Sequence, residues 1–477
     1  MRFPSLSLVA CLLPAVLAVP ASQGDKDKHS FEIRDGVKHN VFYHANTRST
    51  ISFVKNSGIC ETTPNVNQYS GYLKVGEGMN MWFWFFESRK DPATAPFAAW
   101  LNGGPGCSSM IGLFQENGPC QFYNGESKPR LNRHSFNQFA NMIYIDQPVG
   151  VGFSYGNEPV NSTVSAAPYV WNLLQAFYAA FPTYVNRDFG IFTESYGGHY
   201  APALAHYLQK QNAKIDAKTV QGKKINLVAL GINNGYIDPA ISHKALIDYA
   251  YSNSYGPLIT KAAHANYHDI YSKSCLPRLK ECTTTTGSDA QCIKASEKCY
   301  EGIEGPILNG NYDIYDIRQP INSPYPPIDY VKYLHDPAVI KAIGANPKIK
   351  YHECSDNVGN RFGDTGDDSR SFLADLSAVV RSGVHVLIWA GDADVICNWF
   401  GNLEVANSIT YPGTHEFNLT PVQNYTVMGV VGGTFKTVDN LSWLRVLEAG
   451  HEVAYYTPAL ALQVFKQTFK KKAIFST

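Results

Sequence analysis

Short apolar runs along the chain predict the strands of a sheet. They lie at Met81–Glu87, Phe97–Leu101, Asn141–Asp146, Phe189–Phe192, Ile225–Ile232, Val384–Ala390 and Leu441–Leu447. Two of them, FAAWL and NMIYID, show little polar alternation, as in strands buried on both faces of a mostly parallel sheet. Tyr169–Phe181 carries apolar residues at helical spacing, and His199–Lys210 is a second helical stretch. Strands and helices in alternation predict an α/β fold.

The pattern changes between about Asp238 and Asp368. This stretch is rich in Tyr, Pro, Thr and Cys, and strand-like apolar runs are absent from its sequence. The sheet pattern resumes after it, and the chain of 477 residues is about three times the typical domain length. We therefore predict one domain, formed by residues 72–237 and 369–477, that is interrupted by a disulfide-bearing insertion at 238–368.

The first residues have the layout of a cleaved secretory signal. Arg2 precedes an apolar run at Leu6–Val19, and a small residue, Ala21, follows it. The run is too short to span a bilayer, and no other apolar run approaches 18 residues. We predict a signal peptide at 1–21, an N-terminal segment at 22–71 with a candidate propeptide, and a secreted protein without a membrane anchor. Delivery to a vacuole-like compartment is the alternative.

Charge excludes one class of function. The chain has 40 basic and 40 acidic residues, and charged residues make up only 17% of it. This balance argues against nucleic-acid binding through a basic surface. Hydrophobic residues at 44% are typical of a globular protein.

Cysteine usage agrees with an oxidising compartment. With Cys11 in the predicted signal, nine cysteines remain: Cys60, Cys107, Cys120, Cys275, Cys282, Cys292, Cys299, Cys354 and Cys397. An odd number predicts four disulfides and one free thiol, without fixing the pairing. A zinc site in the Cys275–Cys299 cluster is the competing interpretation, but no CxxC pair or interleaved histidine supports it. We expect no metal and no organic cofactor.

Four N-x-S/T sequons are candidate glycosylation sites: Asn161, Asn418, Asn424 and Asn440. A chain this rich in asparagine contains about as many by chance. The sequons therefore do not strengthen the prediction of secretion.

A serine lies where a predicted strand meets a predicted helix, in the sequence TESYGG at 193–198. In a nucleophile elbow this position exposes a serine hydroxyl on a tight turn. Thr193 stands where the G-x-S-x-G pattern has glycine, and an ordinary structural turn is the alternative. The motif makes Ser195 a candidate nucleophile.

A nucleophilic serine needs a base, and the base needs an orienting carboxylate. Asp392 and Asp394 follow the predicted strand Val384–Ala390, at the sheet edge where α/β folds present functional loops. His451 follows the last predicted strand and a glycine. The order serine, aspartate, histidine is that of α/β-hydrolase triads.

A glycine-rich loop, LNGGPG at 101–106, directly follows FAAWL. Acyl transfer at serine requires backbone N–H donors for the oxyanion, and α/β-hydrolases build half of that hole in this place. Such a loop alone is weak evidence, because ordinary turns are glycine-rich too. Serine, acid, histidine and loop in the right order together predict a serine hydrolase.

Six segments resemble the serine carboxypeptidase family of fungi, plants and animals. They are WLNGGPGCSS at 100–109, GLFQENGP at 112–119, DQPVGVGFSY at 146–155, TESYGGHYAP at 193–202, GDADVICNW at 391–399 and AGHEVA at 449–454. The resemblance runs from about Tyr72 to the C-terminus and is greatest to secreted fungal members with Glu after the histidine. It implies an α/β-hydrolase fold, with a mixed, mostly parallel sheet flanked by helices and a disulfide-bearing cap.

The resemblance also implies roles for single residues. The implied catalytic residues are Ser195 as nucleophile, His451 as general base and Asp394, rather than Asp392, as orienting acid. The implied oxyanion donors are the amides of Gly104 and Tyr196. The implied set that holds the substrate's free carboxylate is Trp100, Asn102, Gly103, Glu116 and Glu194.

Two carboxyls in that set face a third carboxylate on the substrate. They repel it unless a proton is shared, because like charges raise one another's pKa. We therefore expect an acidic optimum for peptide hydrolysis. Esters and amides lack the carboxylate and are expected to tolerate higher pH.

The resemblance extends to the cysteines. It implies a free thiol at Cys397 beside the active site and three disulfides, Cys275–Cys299, Cys282–Cys292 and Cys107–Cys354, which leave Cys60 and Cys120 as the fourth pair. Glu452 stands where many members have Met, and Ala454 where Pro is common. We hypothesise that Glu452 gives tolerance for basic side chains near the scissile bond; the alternative is that it points to solvent.

The predicted function is a secreted serine carboxypeptidase that releases single C-terminal amino acids from peptides and proteins through an acyl-enzyme. An acyltransferase of the same architecture shares this chemistry, and acceptor alcohols distinguish the two. An inactive hydrolase-like binding protein is a second alternative, although it does not require triad, oxyanion loop and carboxylate set together. The sequence leaves the oligomeric state and side-chain preference open.

Overall fold

The structure is a computed structural model that describes residues 26–45, 48–123, 125–282, 287–321, 323 and 325–477. Its strands are β1 Lys28–Arg34, β2 Val37–His44, β3 Ser49–Lys55, β4 Gln68–Gly76, β5 Met79–Phe86, β6 Phe97–Leu101, β7 Cys120–Gln121, β8 Arg130–Leu131, β9 Asn141–Asp146, β10 Tyr155–Gly156, β11 Asp188–Glu194, β12 Asn226–Asn233, β13 His385–Gly391, β14 Gln423–Val427, β15 Val430–Val438 and β16 Leu441–Val446. The predicted signal peptide at 1–21 lies outside the described residues.

The α-helices are α1 Thr163–Ala180, α2 Gly197–Asp216, α3 Pro239–Tyr251, α4 Lys261–Ile270, α5 Leu276–Cys282, α6 Asp289–Cys299, α7 Gly305–Leu308, α8 Asp329–Tyr333, α9 Pro337–Ile343, α10 Asp356–Gly363, α11 Leu373–Arg381, α12 Trp399–Ser408, α13 Thr414–Leu419, α14 Val453–Tyr456 and α15 Pro458–Phe469. Three π-helical turns lie at Gly112–Glu116, Tyr271–Cys275 and Tyr300–Glu304. Across the described part of the chain, no helix combines the length and apolar character needed to cross a membrane.

One large sheet organises the molecule. Its strand order is β1-β2-β3-β4-β5-β9-β6-β11-β12-β13-β16-β15-β14, and β10 pairs with β5. The central strands from β9 to β16 run parallel, and antiparallel strands extend the sheet at both ends. The parallel centre fits the uninterrupted apolar runs, because strands covered on both faces have no polar side. The predicted α/β-hydrolase fold with a mixed central sheet is confirmed.

Apolar cores cover both faces of this sheet. Alternate residues of a strand point to opposite faces, so Phe83 and Phe85 belong to one core and Trp82 and Trp84 to the other. The first core packs against α1, α2 and α11, and the second packs against α15. The helices leave the carboxyl ends of the parallel strands free to carry the loops described below.

Helix α1 begins at Thr163, earlier than the predicted start at Tyr169. Ser162 forms a capping box with Ser165, and the Asp367 carboxylate accepts the Thr163 N–H at 3.0 Å. These polar contacts satisfy the first N–H groups of the helix. They lie outside the apolar pattern, which is why spacing alone placed the start too late.

The stretch between β12 and β13 is helical in all its named, described elements. Disulfides Cys275–Cys299 and Cys282–Cys292 lie within it, and Cys107–Cys354 ties it to the loop after β6. A small apolar core that includes Leu246 and Ile303 supports it. This stretch corresponds to the segment at 238–368 in which the sequence shows no strand pattern.

Candidate active site

Ser195 lies on the turn between β11 and α2. Its φ of +61° falls in the left-handed region, which is uncommon for residues other than glycine. The Ser195 N–H donates to the Asn233 carbonyl oxygen at 3.0 Å, and the Gly198 N–H donates to the Ser195 carbonyl oxygen at 2.9 Å. A strained turn fixed by such bonds is the geometry that presents a nucleophilic hydroxyl.

The glycine-rich loop after β6 packs directly on this turn. A Cβ at Gly103 would lie 2.4 Å from the Tyr196 backbone nitrogen, so the close approach requires glycine. Gly104 has a φ of +107° and lines the same cavity as Ser195 and Tyr196. The two residues predicted to bind the oxyanion therefore surround one cavity together with the serine.

His451 and Asp394 form a buried pair. The Nδ1 atom of His451 lies 2.8 Å from Oδ2 of Asp394, and the side chains are 4% and 0% exposed. Asn234 Nδ2 donates to the same carboxylate oxygen at 2.7 Å. Burial lowers the pKa of His451, but the Asp394 carboxylate together with the charges of Glu452 and Glu116 outweighs this effect, so the net pKa is raised.

Asp392 is engaged elsewhere. Its Oδ2 lies 2.8 Å from Nη2 of Arg445, and its Oδ1 accepts the Tyr255 hydroxyl at 2.6 Å. The Glu448 N–H also donates to Oδ1, at 3.0 Å. The structure thus gives the two acids of the GDAD loop different partners, and Asp394 is the one that contacts His451.

Cys397 and Asn233 connect the serine with the histidine. Cys397 lines the same cavity as Ser195, and burial raises the pKa of its thiol well above its ordinary value. The Cys397 Sγ, a His451 ring nitrogen and an Asp394 oxygen lie within 4.8 Å of one another. Asn233, whose carbonyl oxygen holds Ser195, donates from Nδ2 to the His451 carbonyl oxygen at 2.7 Å.

The sequence prediction missed Asn233 and Asn234. Their side chains hold the backbone of His451 and the carboxylate of Asp394, respectively. The signal that was available is a pair of asparagines directly at the carboxyl end of a buried strand, where α/β folds place functional groups.

Glu116 and Glu194 lie side by side and are buried. Asn102 Nδ2 donates to Oε1 of each at 3.2 Å, and Trp100 Nε1 donates to Asn102 Oδ1 at 2.7 Å. Burial raises the pKa of Glu116, and burial together with the Glu116 charge raises the pKa of Glu194 well above its ordinary value. Two such carboxyls in contact favour a shared proton at acidic pH.

Glu452 adds a third carboxyl to this neighbourhood. Its Oε2 is buried and has no hydrogen-bond partner among the described residues. Burial raises the pKa of Glu452 to about 7, against the opposing effect of His451. The charge of Glu452 in turn contributes to the raised pKa of Glu194. The side chain therefore acts electrostatically on the site and does not simply point to solvent.

A cavity of about 220 Å³ opens beside Ser195. Its walls include apolar residues such as Leu246 and two acids, Glu304 and Asp368. Burial and the Asp368 charge raise the pKa of Glu304 to about 7. Nδ1 of His243 lies 3.8 Å from Glu304 Oε2, and burial lowers the pKa of His243 to about 4, so this histidine is neutral above that pH.

The acids of this cavity were also missed. Glu304 lies on a π-helical turn and Asp368 on a 3₁₀ turn, both outside the strand pattern that located the other loops. Only folding of the insertion over the serine brings them together, and no local sequence signal reports it.

The described residues form four disulfides: Cys107–Cys354, Cys275–Cys299 and Cys282–Cys292, which the resemblance implied, and Cys60–Cys120, the pair that those three left over. Among the described residues, Cys397 is the free cysteine, and it is buried. The predicted sequons differ in environment. Asn161, Asn418 and Asn424 are exposed. Asn440 is half-buried, and its Nδ2 donates to the carbonyl oxygens of Val384 at 2.6 Å and Val380 at 2.8 Å.

Comparison with known proteins places this site in a family. A family model described as serine carboxypeptidase matches residues 58–471. The chain is 61% identical over 426 residues to "Carboxypeptidase S1" of Penicillium janthinellum, covering 89% of this chain and 100% of that protein. It is 36% identical to "Carboxypeptidase Y" of Schizosaccharomyces pombe, covering 84% of this chain and 40% of that protein.

A solved structure gives the same fold. The prohormone-processing carboxypeptidase Kex1 of Saccharomyces cerevisiae matches with a TM-score of 0.72 and 22% identity, covering 86% of this chain and 92% of that chain. At this identity the structural similarity supports the fold alone, whereas the family model and the fungal relatives support the activity. The chain belongs to the serine carboxypeptidase family.

Proposed function

We propose that this carboxypeptidase releases single C-terminal residues through Ser195, His451 and Asp394. His451 takes the Ser195 proton as the hydroxyl oxygen attacks the scissile carbonyl, and then gives it to the leaving amine. Asp394 orients the imidazole through Nδ1 and stabilises its charged form. The Gly104 and Tyr196 amides stabilise the oxyanion. Water, deprotonated by His451, then cleaves the acyl-enzyme.

The buried pair Glu116–Glu194 carries this proposal. Glu194 directly precedes the nucleophile in sequence, so a group bound at the pair lies next to the reacting serine. A protonated carboxyl of the pair donates a hydrogen bond to a substrate carboxylate, which Asn102 and Trp100 position. A free carboxylate bound there leaves room for one residue before the scissile bond, which explains exopeptidase action.

The test is digestion of a peptide with a free C-terminus beside its C-terminally amidated twin, at about pH 5, followed by mass spectrometry. We expect a ladder of single-residue losses that is faster from the free acid and absent with Ser195→Ala. Internal cleavage, or equal rates on both peptides, would contradict the assigned carboxylate site. Acyl transfer to an added alcohol without hydrolysis would favour the acyltransferase alternative.

The cavity that contains Glu304 and Asp368 fits the side chain of the penultimate residue. It opens beside Ser195, but Asn102, Glu116 and Glu452 are not among its lining residues. A substrate held by its carboxylate on one side of the serine therefore directs its acyl part into this cavity. Apolar walls with acids suit the long stem and cationic head of Lys or Arg. The expected substrates are peptides with a basic penultimate residue.

On the other side of the scissile bond, Glu452 supports a preference for basic leaving residues. Its buried oxygen, which has no hydrogen-bond partner among the described residues, and its contribution to the raised pKa of Glu194 support a role beside the carboxylate set. Replacing Glu452 with Met is expected to lower the preference for C-terminal Lys or Arg over Leu. An unchanged preference would discard the idea.

The proposed destination is the extracellular space, with vacuolar delivery as the alternative. The four disulfides support an oxidising compartment. The exposed sequons at Asn161, Asn418 and Asn424 are the proposed glycosylation sites, whereas a glycan on Asn440 would disrupt its two hydrogen bonds to backbone carbonyls. Glycopeptide mass spectrometry of the protein from culture medium tests both points.

A further inference from the structure

Three metal-ligating side chains converge on the insertion, away from the catalytic triad. Asp248 lies on α3, and His264 and His268 lie on α4, each partly exposed. The Nε2 atoms of His264 and His268 are 3.0 and 2.7 Å from the same oxygen, Oδ1 of Asp248. The two Nε2 atoms are 3.1 Å from each other.

Hydrogen bonding accounts for only part of this arrangement. Each imidazole can donate to Oδ1, but the two Nε2–H groups then crowd one oxygen while the ring nitrogens stay within 3.1 Å. A divalent transition metal with bonds of about 2.1 Å places neighbouring ligand atoms about 3 Å apart in octahedral and about 3.4 Å apart in tetrahedral geometry, so shifts of a few tenths of an ångström in these side chains would bring all three atoms to coordinating positions. Histidines at i and i+4 on one helix face also form a recognised metal-binding pair.

We propose that Asp248, His264 and His268 bind a divalent transition metal ion such as zinc. Asp248 keeps its other oxygen, Oδ2, for the Lys244 ammonium at 3.0 Å, so Oδ1 is the oxygen directed at the histidines. The Tyr251 ring stacks on His264 with centroids 4.4 Å apart and holds it in this orientation. With side-chain exposures of 24 to 30%, the remaining coordination positions face solvent.

The ion would clamp α4 onto α3. Helix α4 contributes only partly buried side chains, Tyr267 and Ile270, to the small apolar core of the insertion, so a bound ion would add a second attachment to that limited packing. Helix α3 carries His243 and Leu246, which line the cavity beside Ser195. The site therefore anchors a peripheral helix to the helix that forms one wall of the active-site cavity, and its main effect is on stability.

Two other groupings of potential ligands do not compete with this assignment. Asp394, Cys397 and His451 belong to the active site, and Cys275 and Cys299, which lie near His243, form a disulfide. The active-site group is nevertheless a second place where added metal could bind, so the experiment includes a Cys397→Ser variant.

The test is calorimetric titration of the EDTA-dialysed full protein with zinc chloride at pH 7, together with thermal unfolding. We expect one zinc equivalent to bind and to raise Tm. His264→Gln and His268→Gln are expected to weaken binding at least about tenfold. Cys397→Ser and a matched variant of an exposed histidine outside the cluster, His415→Gln, are expected to bind as the wild type does.

The unfolding temperature measured in EDTA checks that each variant is folded before zinc is added. Absence of binding to the wild type would overturn the proposal. Binding that survives both His264→Gln and His268→Gln, or that is lost with Cys397→Ser, would overturn it as well, because the ion would then sit elsewhere.

Discussion

The two aspartates of the GDAD loop have different roles because they contact different partners. Asp394 contacts His451, whereas Asp392 pairs with Arg445. We expect Asp394→Asn to lower kcat by about 10³- to 10⁴-fold, because the amide no longer stabilises the charged imidazole. Steady-state kinetics measure kcat, and thermal unfolding measures the stability of the variant.

Asp392→Asn is the matched control. Loss of its ion pair with Arg445 is expected to lower Tm while kcat changes only a few-fold, since Asp392 does not touch the histidine. A similar loss of kcat in both variants would contradict the assignment of Asp394 as the orienting acid.

Glu304, one of the two acids in the cavity beside Ser195, gives a second prediction at the residue scale. At about pH 7, where part of Glu304 is charged, Glu304→Gln is expected to lower kcat/KM by up to about tenfold for a peptide with penultimate Lys, the size of one charge-assisted hydrogen bond. A peptide with penultimate Leu serves as control and should change less than about twofold.

The same carboxyl gives this preference a pH dependence. Because the pKa of Glu304 is raised to about 7, the carboxyl is neutral in acid and gains charge as pH rises. The ratio of rates for penultimate Lys over Leu should therefore increase between pH 5 and 7 in the wild type and increase less in Glu304→Gln, in which Asp368 is the remaining acid of the cavity. A ratio that falls over this range would argue against the acidic cavity.

At the scale of elements, helix α1 depends on polar groups at its start. Ser162→Ala removes the capping box and is expected to lower the free energy of unfolding by about 1 kcal/mol. The change keeps the Asn161 sequon intact. Val164→Ala, at a side chain 65% exposed in the same turn, is the control and should be nearly neutral. Urea denaturation measures both; equal losses would contradict the role of the cap.

The elements that could be predicted are those whose buried apolar residues form an uninterrupted run in the sequence. Strands such as Phe97–Leu101 and Asn141–Asp146 have the predicted bounds, because both faces of the central sheet are apolar. Strand β1 is exposed at every position, and its two apolar residues, Phe31 and Ile33, form too short an alternation to predict it, although its backbone pairs with β2. Its pairing is a property of the sheet edge, which a local pattern cannot reveal.

The residues of the candidate site also divide into those that a sequence pattern located and those that it did not. Ser195 and His451 follow strands, so the order of strands along the chain located them, whereas the choice of Asp394 over Asp392 came from the family resemblance. Glu304 and Asp368 come from the insertion, and their approach to Ser195 depends on packing between distant segments. The sequence therefore predicted the chemistry of the site more fully than the walls of its cavity.

At the scale of the whole molecule, the site titrates as a coupled cluster. Glu116 and Glu452 are among the charges that raise the pKa of His451. Protonating these acids at low pH removes part of that effect, which helps His451 remain a neutral base in acid. The same protonation lets Glu116 and Glu194 bind a substrate carboxylate. Both effects favour hydrolysis of peptide acids below neutral pH.

The most direct test of this account is the pH profile of kcat/KM for a peptide acid beside its C-terminal amide. The raised pKa values of Glu116 and Glu194 mean that the pair is neutral in acid and gains charge as pH rises. We predict that the peptide acid has an acidic optimum and loses activity as the pair ionises, whereas the amide keeps its activity to higher pH. Superimposable profiles, or a peptide-acid optimum above about pH 7.5, would contradict the assignment of this pair as the carboxylate site.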